Sequence, residues 1–392
     1  NNKRKSRKIL FDISSYFIPV KKEIVKNKPG WQTSQIGHII DIHTSSSFPE
    51  INNVEIAFFS IPEYDGTENR GNDHSTVREE LYQLHFEQTP KLVDLGTMQL
   101  MSTRKESFKH IELICANLLS KGIVPLIIGG GQDISYAIYK AYASIGKIIT
   151  FTSVDNSFDL GTNEDKIDSH SYLGKIIAYQ PNHLFNYCNI GFQTYFVSPE
   201  AIDMLDKIHF DTFRLGSIKS NIIEVEPLMR NTDFLSFDLS AISGLYAPAN
   251  VYATPNGLGG TQTCSIMRYA GLSDKVSTCG IFEYNQMFDE NKQTAKLIAQ
   301  MFWYFLDGFK NRNTELNPDL KECTKYTVTF DNGENEVVFY KSNKTGRWWI
   351  GIPFTEKQKK EKYFVACSYR DYEKANKGEL PELWMKTYRR LH

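Results

Sequence analysis

Between residues 53 and about 310 the chain alternates repeatedly between short apolar runs and stretches whose apolar residues recur every three or four positions. Residues 53–61 (NVEIAFFSI), 124–128, 148–154, 188–192, 234–238 and 276–283 read as strands. Residues 75–84, 108–119, 135–144, 199–207, 262–270 and 294–306 read as helices, the first behind a Ser75/Thr76 cap. A strand with no polar alternation has to be covered on both faces. Strand followed by helix, many times over, therefore predicts a three-layer α/β/α domain around a doubly wound, mostly parallel sheet.

The flanks differ from this middle. Residues 1–52 lack periodicity; five positive charges in the first eight residues suggest a solvated arm ahead of a lead-in segment. Past residue 312, TVTF, EVVFY and RWWIGIPF predict antiparallel strands around an Asp331-Asn332-Gly333 turn. A charged stretch (EKQKKEK) and an aromatic, basic tail follow. The expected organisation is 1–52 as arm and lead-in, 53–312 as the α/β domain, and 313–392 as a small β-rich C-terminal subdomain. No repeat or low-complexity tract is visible.

Composition narrows the partners. Lys plus Arg (45) nearly cancels Asp plus Glu (46), for a net charge of -1. That argues against nucleic acid or an anionic membrane, both of which reward a basic excess. No run of about 20 apolar residues is present to span a bilayer. The six cysteines are widely spaced without a CxxC, as reduced core thiols are, and the basic start lacks the apolar stretch of a signal peptide. A cytoplasmic protein is expected.

In open α/β sheets, sites form beyond the carboxyl ends of the strands. Three such ends carry polar or acidic residues: IIGGGQD (127–133), TSVDNSFD (152–159) and LSFDLSAIS (235–243). The set resembles the ureohydrolase family (arginase, agmatinase, formimidoylglutamase), whose motifs GGDHS or GGGHE, DAHxD and SxDxDxxDP follow strands in the same order. APAN…TPNGLGG (247–260) and IFEYNQMFDENKQTA (281–295) resemble two further family segments, so the likeness covers about residues 53–310. It implies the arginase-like fold. Family members hydrolyse guanidino or formimino groups with two bridged manganese ions, held by two His and four Asp.

Three of those six ligands are replaced here. Gln132 stands at the first His, Ser157 at the second, and Ser240 at the last Asp, while Asp155, Asp159 and Asp238 remain. By resemblance, one ion's ligands become Asp155, Asp159, Asp238 and Gln132; the other ion's private ligands become the hydroxyls of Ser157 and Ser240, which bind divalent ions poorly. Two-ion water activation needs both ions roughly 3.5–4 Å apart. The expectation is a pseudoenzyme of this fold acting as a binding or scaffold protein; the alternative is an altered single-metal hydrolase of a formimino or guanidino substrate, closer to formimidoylglutamase because GGGQD resembles GGGHE. Either no cofactor remains or one divalent cation (Mn²⁺, Mg²⁺ or Ca²⁺). Three carboxylates at one dry point require a cation, a buried base, water or shared protons. Asp133, one residue along the turn, is expected to point elsewhere.

The resemblance also places Glu283 where a family carboxylate grips the substrate's guanidinium, and His170 in a loop whose His shuttles protons; Glu283 as a solvated strand end stays open beside the first. His74 and His183 read as surface residues, Gly129–131 as close backbone packing, and Met301, Trp303 and Phe305 as a core stripe. Trp348 and Trp349 must point to opposite faces of a strand, leaving either an exposed anchor or packing between subdomains. The family's trimers and hexamers imply a homo-oligomer or another protein partner.

Overall fold

The computed structural model describes residues 12–392 apart from 72, 88–89, 162–166, 331–334 and 357–358. The basic arm and the Asp331-Asn332-Gly333 turn lie outside the described residues. Among these, ten strands form the main sheet: β1 (Phe17–Ile18), β2 (Asp41–Ile42), β3 (Ile56–Ile61), β4 (Leu92–Met98), β5 (Val124–Gly129), β6 (Ile149–Val154), β7 (Leu184–Phe192), β8 (Asp211–Arg214), β9 (Phe234–Asp238) and β10 (Thr278–Phe282). Their order is β1-β4-β3-β5-β10-β9-β6-β7-β8, with β2 also on β4. Only β1 runs antiparallel to its neighbour. The lead-in segment thus contributes two strands to this sheet.

The apolar runs are buried on both faces, as their patterning requires. Along β5 the pleat sends Leu126 and Ile128 into one core layer and Ile127 into the other. Met301 and Phe305, on the helix Gln293–Lys310, are buried in the first layer, with Trp303 packed against it. The helix Arg104–Ser120 starts where Thr103 and Glu106 form a reciprocal capping box. The helix Ser75–Gln83 starts differently from expectation: Asp73 Oδ1 accepts from Ser75 N at 2.9 Å, and neither Ser75 nor Thr76 acts as its cap.

Two buried polar groups escaped the pattern. β4 reads KLVDLGTM, and Asp94 breaks its apolar run. Asp94 is fully buried because Arg78 donates to both its oxygens (2.8 and 3.1 Å) and Tyr82 donates to Oδ2 at 2.6 Å. His74, expected at the surface, is 1% exposed and hydrogen-bonded to the Tyr64 hydroxyl at 2.8 Å. His183 is half-buried. All six cysteines are unpaired, and five are buried. No helix among the described residues is long and apolar enough to cross a membrane.

The C-terminal segment forms a separate antiparallel sheet in the order β11 (Cys323–Phe330), β12 (Asn335–Ser342), β13 (Trp348–Glu356), β14 (Lys359–Cys367), followed by helices Tyr369–Asn376 and Glu382–Leu391. Part of the charged stretch is therefore strand. Trp348 stacks on Tyr372 within the subdomain, and Trp349 lies on the other face beneath Arg230, whose guanidinium is 4.9 Å from its ring. Both rings are buried, so neither is an exposed anchor. Arg230 also donates to Trp348 O and Cys367 O, and Arg390 donates to His209 O and Asp211. These contacts fall just before or at the start of β8 and β9, so the subdomain covers the amino ends of the sheet.

Arg230→Ala removes a buried cation that satisfies two carbonyls and pairs with Glu226. We expect a loss of about 3–5 kcal/mol in denaturant unfolding, with earlier protease cleavage between residues 312 and 322. A second expectation concerns His74, whose pKa burial pushes down to about 3. Unfolded, it takes a proton below about 6.5, so folding loses stability as pH falls from 6.5 toward 3. His74→Gln should remove up to about 1.4 kcal/mol per pH unit from that acid slope; an unchanged slope in pH-dependent unfolding contradicts this.

Candidate functional site

Four neighbouring parallel strands, β5, β10, β9 and β6, bring their carboxyl ends side by side. Gln132 follows β5, Glu283 follows β10, Asp238 ends β9 and Asp155 follows β6. Register aligns Phe282 with Asp238 and Phe237 with Val154, which places the acidic ends level. The turn after β5 threads against Glu63: a Cβ on Gly130 would meet Glu63 O at 1.8 Å, so that position has room only for glycine. Asp133 turns away to pair with Arg104.

Asp155, Asp159 and Asp238 are buried, each with a carboxylate oxygen within 4.8 Å of the others. Their two oxygens play different parts. Every Oδ2 converges on the Gln132 amide: one end of that amide lies 2.9 Å from Asp155, 2.9 Å from Asp238 and 3.1 Å from Asp159. Every Oδ1 faces the other way and accepts protein donors. Asp155 Oδ1 accepts from Ser157 N (3.0 Å) and the Ser240 hydroxyl (3.5 Å), Asp238 Oδ1 from Ser240 N (2.6 Å), and Asp159 Oδ1 from the Ser157 hydroxyl (2.8 Å). His170 Nδ1 is 3.4 Å from Asp159 Oδ1.

The opposite end of the Gln132 amide lies 3.1 Å from Ser153 Oγ and 3.2 Å from Ser236 Oγ. An amide's two ends are nearly equal in size, and hydrogen bonding decides which faces which way. With Nε2 at the carboxylates, it donates to them while Oε1 accepts from Ser153, Ser236 and Tyr172. With Oε1 there, four acceptor oxygens face one another, and a cation or shared protons must reconcile them. Both arrangements leave the serines satisfied.

Burial, with Asp159 and Asp238 alongside, holds the Asp155 carboxyl well above the usual carboxylate range. Burial, with Glu283 and Asp159 alongside, does the same to Asp238. The bond to Asp159 raises His170 to about 9, so the imidazole is cationic at neutral pH. Its side chain is 60% exposed, at the edge of an open cleft of about 460 Å³ that Ser157, Asp159, Ser171 and Phe196 also line.

Glu283 is fully buried rather than solvated. It accepts from Gln132 N at 2.7 Å, from Asn69 Nδ2 at 2.6 Å and from the Thr67 hydroxyl. These donors fill three of the roughly four acceptor positions a carboxylate has. Its φ of +70°, costly for a non-glycine residue, is held in part by Glu283 N donating to Gly130 O at 2.7 Å.

Thr67, Asn69, Ser153, Ser236 and Tyr172 were not singled out from sequence. One signal was available: Ser153 and Ser236 each precede an aspartate by two residues, which puts hydroxyl and carboxylate on the same side of a strand. Thr67 and Asn69 belong to a polar loop with no such periodicity.

A family model described as the arginase family matches residues 66–307. Formimidoylglutamase from Lysinibacillus sphaericus is 23% identical over 251 residues, 60% of this chain and 77% of that protein. Formimidoylglutamase from Staphylococcus haemolyticus is 26% identical over 239 residues, 55% of this chain and 71% of that one. The fold is similar to Trypanosoma cruzi formiminoglutamase with Mn²⁺ (TM-score 0.61, 18% identity, 68% of this chain and 97% of that one). It is also similar to Bacillus subtilis formimidoylglutamase (TM-score 0.61, 20% identity, 68% and 91%).

The residues fit one such ion but not a pair. An all-oxygen set of three carboxylates and an amide suits a hard divalent cation, whereas the Oδ1 side is filled by proton donors. In chelator at neutral pH, Asp155→Asn should raise stability by about 1–2 kcal/mol, because it removes one of three mutually repelling carboxylates. Thermal unfolding checks this; a lowered midpoint counts against uncompensated repulsion.

Proposed function

The chain belongs to the arginase family, and from that premise we propose a formimidoylglutamase-like hydrolase pocket working with a single divalent cation on a small formimino or guanidino substrate. One observation carries the proposal: all three Oδ2 atoms converge on Gln132, while all three Oδ1 atoms accept donors from the chain. The holders of the ion are Asp155, Asp159, Asp238 and Gln132, with Ser157 and Ser240 at the positions where a second ion's ligands are missing. A divalent cation there supplies Lewis-acid polarisation and water activation.

The chain's own groups do the rest. His170, at the mouth beside Asp159, is placed to give a proton to a departing amine. Glu283 fixes the floor: by accepting from Gln132 N it holds the turn that carries the amide.

A second reading, a binding or scaffold protein without turnover, is supported by the Ser157 and Ser240 hydroxyls donating to the shared carboxylates. A homo-oligomer or other protein partner is compatible with either.

Elemental analysis after loading with Mn²⁺ should give one ion per chain; two ions sink the one-ion reading. Ser157→His with Ser240→Asp should raise the count to two. Ion-dependent release of ammonia or formamide from formiminoglutamate, abolished by Asp155→Ala, supports the hydrolase. One bound ion without turnover on any formimino or guanidino substrate leaves the binding protein.

A further inference from the structure

We infer that the Gln132 amide turns over when a divalent ion binds at this centre. Nε2 faces the three carboxylates in the ion-free chain, and Oε1 faces them in the loaded one. The inference rests on the one-ion reading above.

Donor chemistry is the first argument. The amide end at the carboxylates is 2.9, 2.9 and 3.1 Å from the three Oδ2 atoms, the length of N–H···O hydrogen bonds; with Oε1 there instead, the same four groups form an all-oxygen set suited to a hard divalent ion. Four oxygen donors without imidazole or thiolate also favour hard ions over Zn²⁺ or Cu²⁺.

The second argument is that the amide is fully buried and has partners either way round. Ser153, Ser236 and Tyr172 donate to Oε1 in one state, and the two serines accept from Nε2 in the other. A hydroxyl donates or accepts by rotating its proton. Half a turn about the soft terminal torsion exchanges two ends of nearly equal volume, so the close-packed surroundings need not move. In the ion-free state the NH₂ offers two protons to three carboxylates; an ion has to displace this neutral stand-in.

The test uses the full chain with ¹⁵N-labelled side-chain amides. The Gln132 pair is identified by its absence in Gln132→Leu. After chelation, adding Mg²⁺ should shift that pair to saturation. Gln132→Leu should weaken Mg²⁺ by at least about 10–100-fold. Gln132→Glu, which keeps the volume but offers only oxygens, should bind Mg²⁺ more tightly and unfold earlier in chelator. If Mg²⁺ binds while the Gln132 signals stay still, or Gln132→Leu and Gln132→Glu both bind as the parent does, the inference falls and the one-ion reading stands. If no divalent ion binds at millimolar concentration, the one-ion reading itself falls and takes the inference with it.

Discussion

Carboxylates buried beside one another repel, and whatever holds them together sets the terms for the groups around them. Here the sheet does the gathering. Parallel neighbours β9 and β6 deliver Asp238 and Asp155 to one level, the turn after β6 adds Asp159, and β10 adds Glu283 close behind. Each acid is then met by its own donors: serine hydroxyls, backbone N–H groups, His170 and the Gln132 amide. The polar residues around the cluster read as answers to that gathering.

Those answers differ in kind. Glu283 is settled by the chain itself, because three donors meet its carboxylate in a left-handed backbone conformation that a glutamate rarely adopts. The three aspartates are settled only on one side. Their Oδ1 atoms are served by donors from the chain, while their Oδ2 atoms meet an amide that can present either polarity. The polar chemistry around the cluster is therefore local, set by a few side chains at the ends of strands whose arrangement is that of the family.

Much of this was legible in the sequence. The strands 234–238 and 124–128 announce themselves because mostly apolar residues run into an acidic or glycine-rich end, and the topology then places those ends together. Asp155, Asp159 and Asp238 were found this way, and Gln132, Ser157 and Ser240 by their positions within the motifs. What stayed hidden depends on pairing across the fold. Asp94 looks like a strand breaker until Arg78, on a helix, is seen to neutralise it. His74 looks solvated until Tyr64 folds over it. The half of β14 that begins Lys359-Lys360 reads as a solvated charge run because an edge strand tolerates such residues. Nothing in the one-letter string says which end of an amide will face an acid.

The C-terminal sheet carries one detail whose effect reaches beyond stability. Asn231 donates to Ala366 O at 2.9 Å and accepts from Ala366 N at 3.0 Å, so one amide occupies the free edge of β14 as a neighbouring strand would. At that position a strand added beside β14 would have to displace the Asn231 amide before it could pair, whereas the opposite border of the sheet is Cys323–Phe330. The main domain thus acts on this sheet as a one-residue blocking strand.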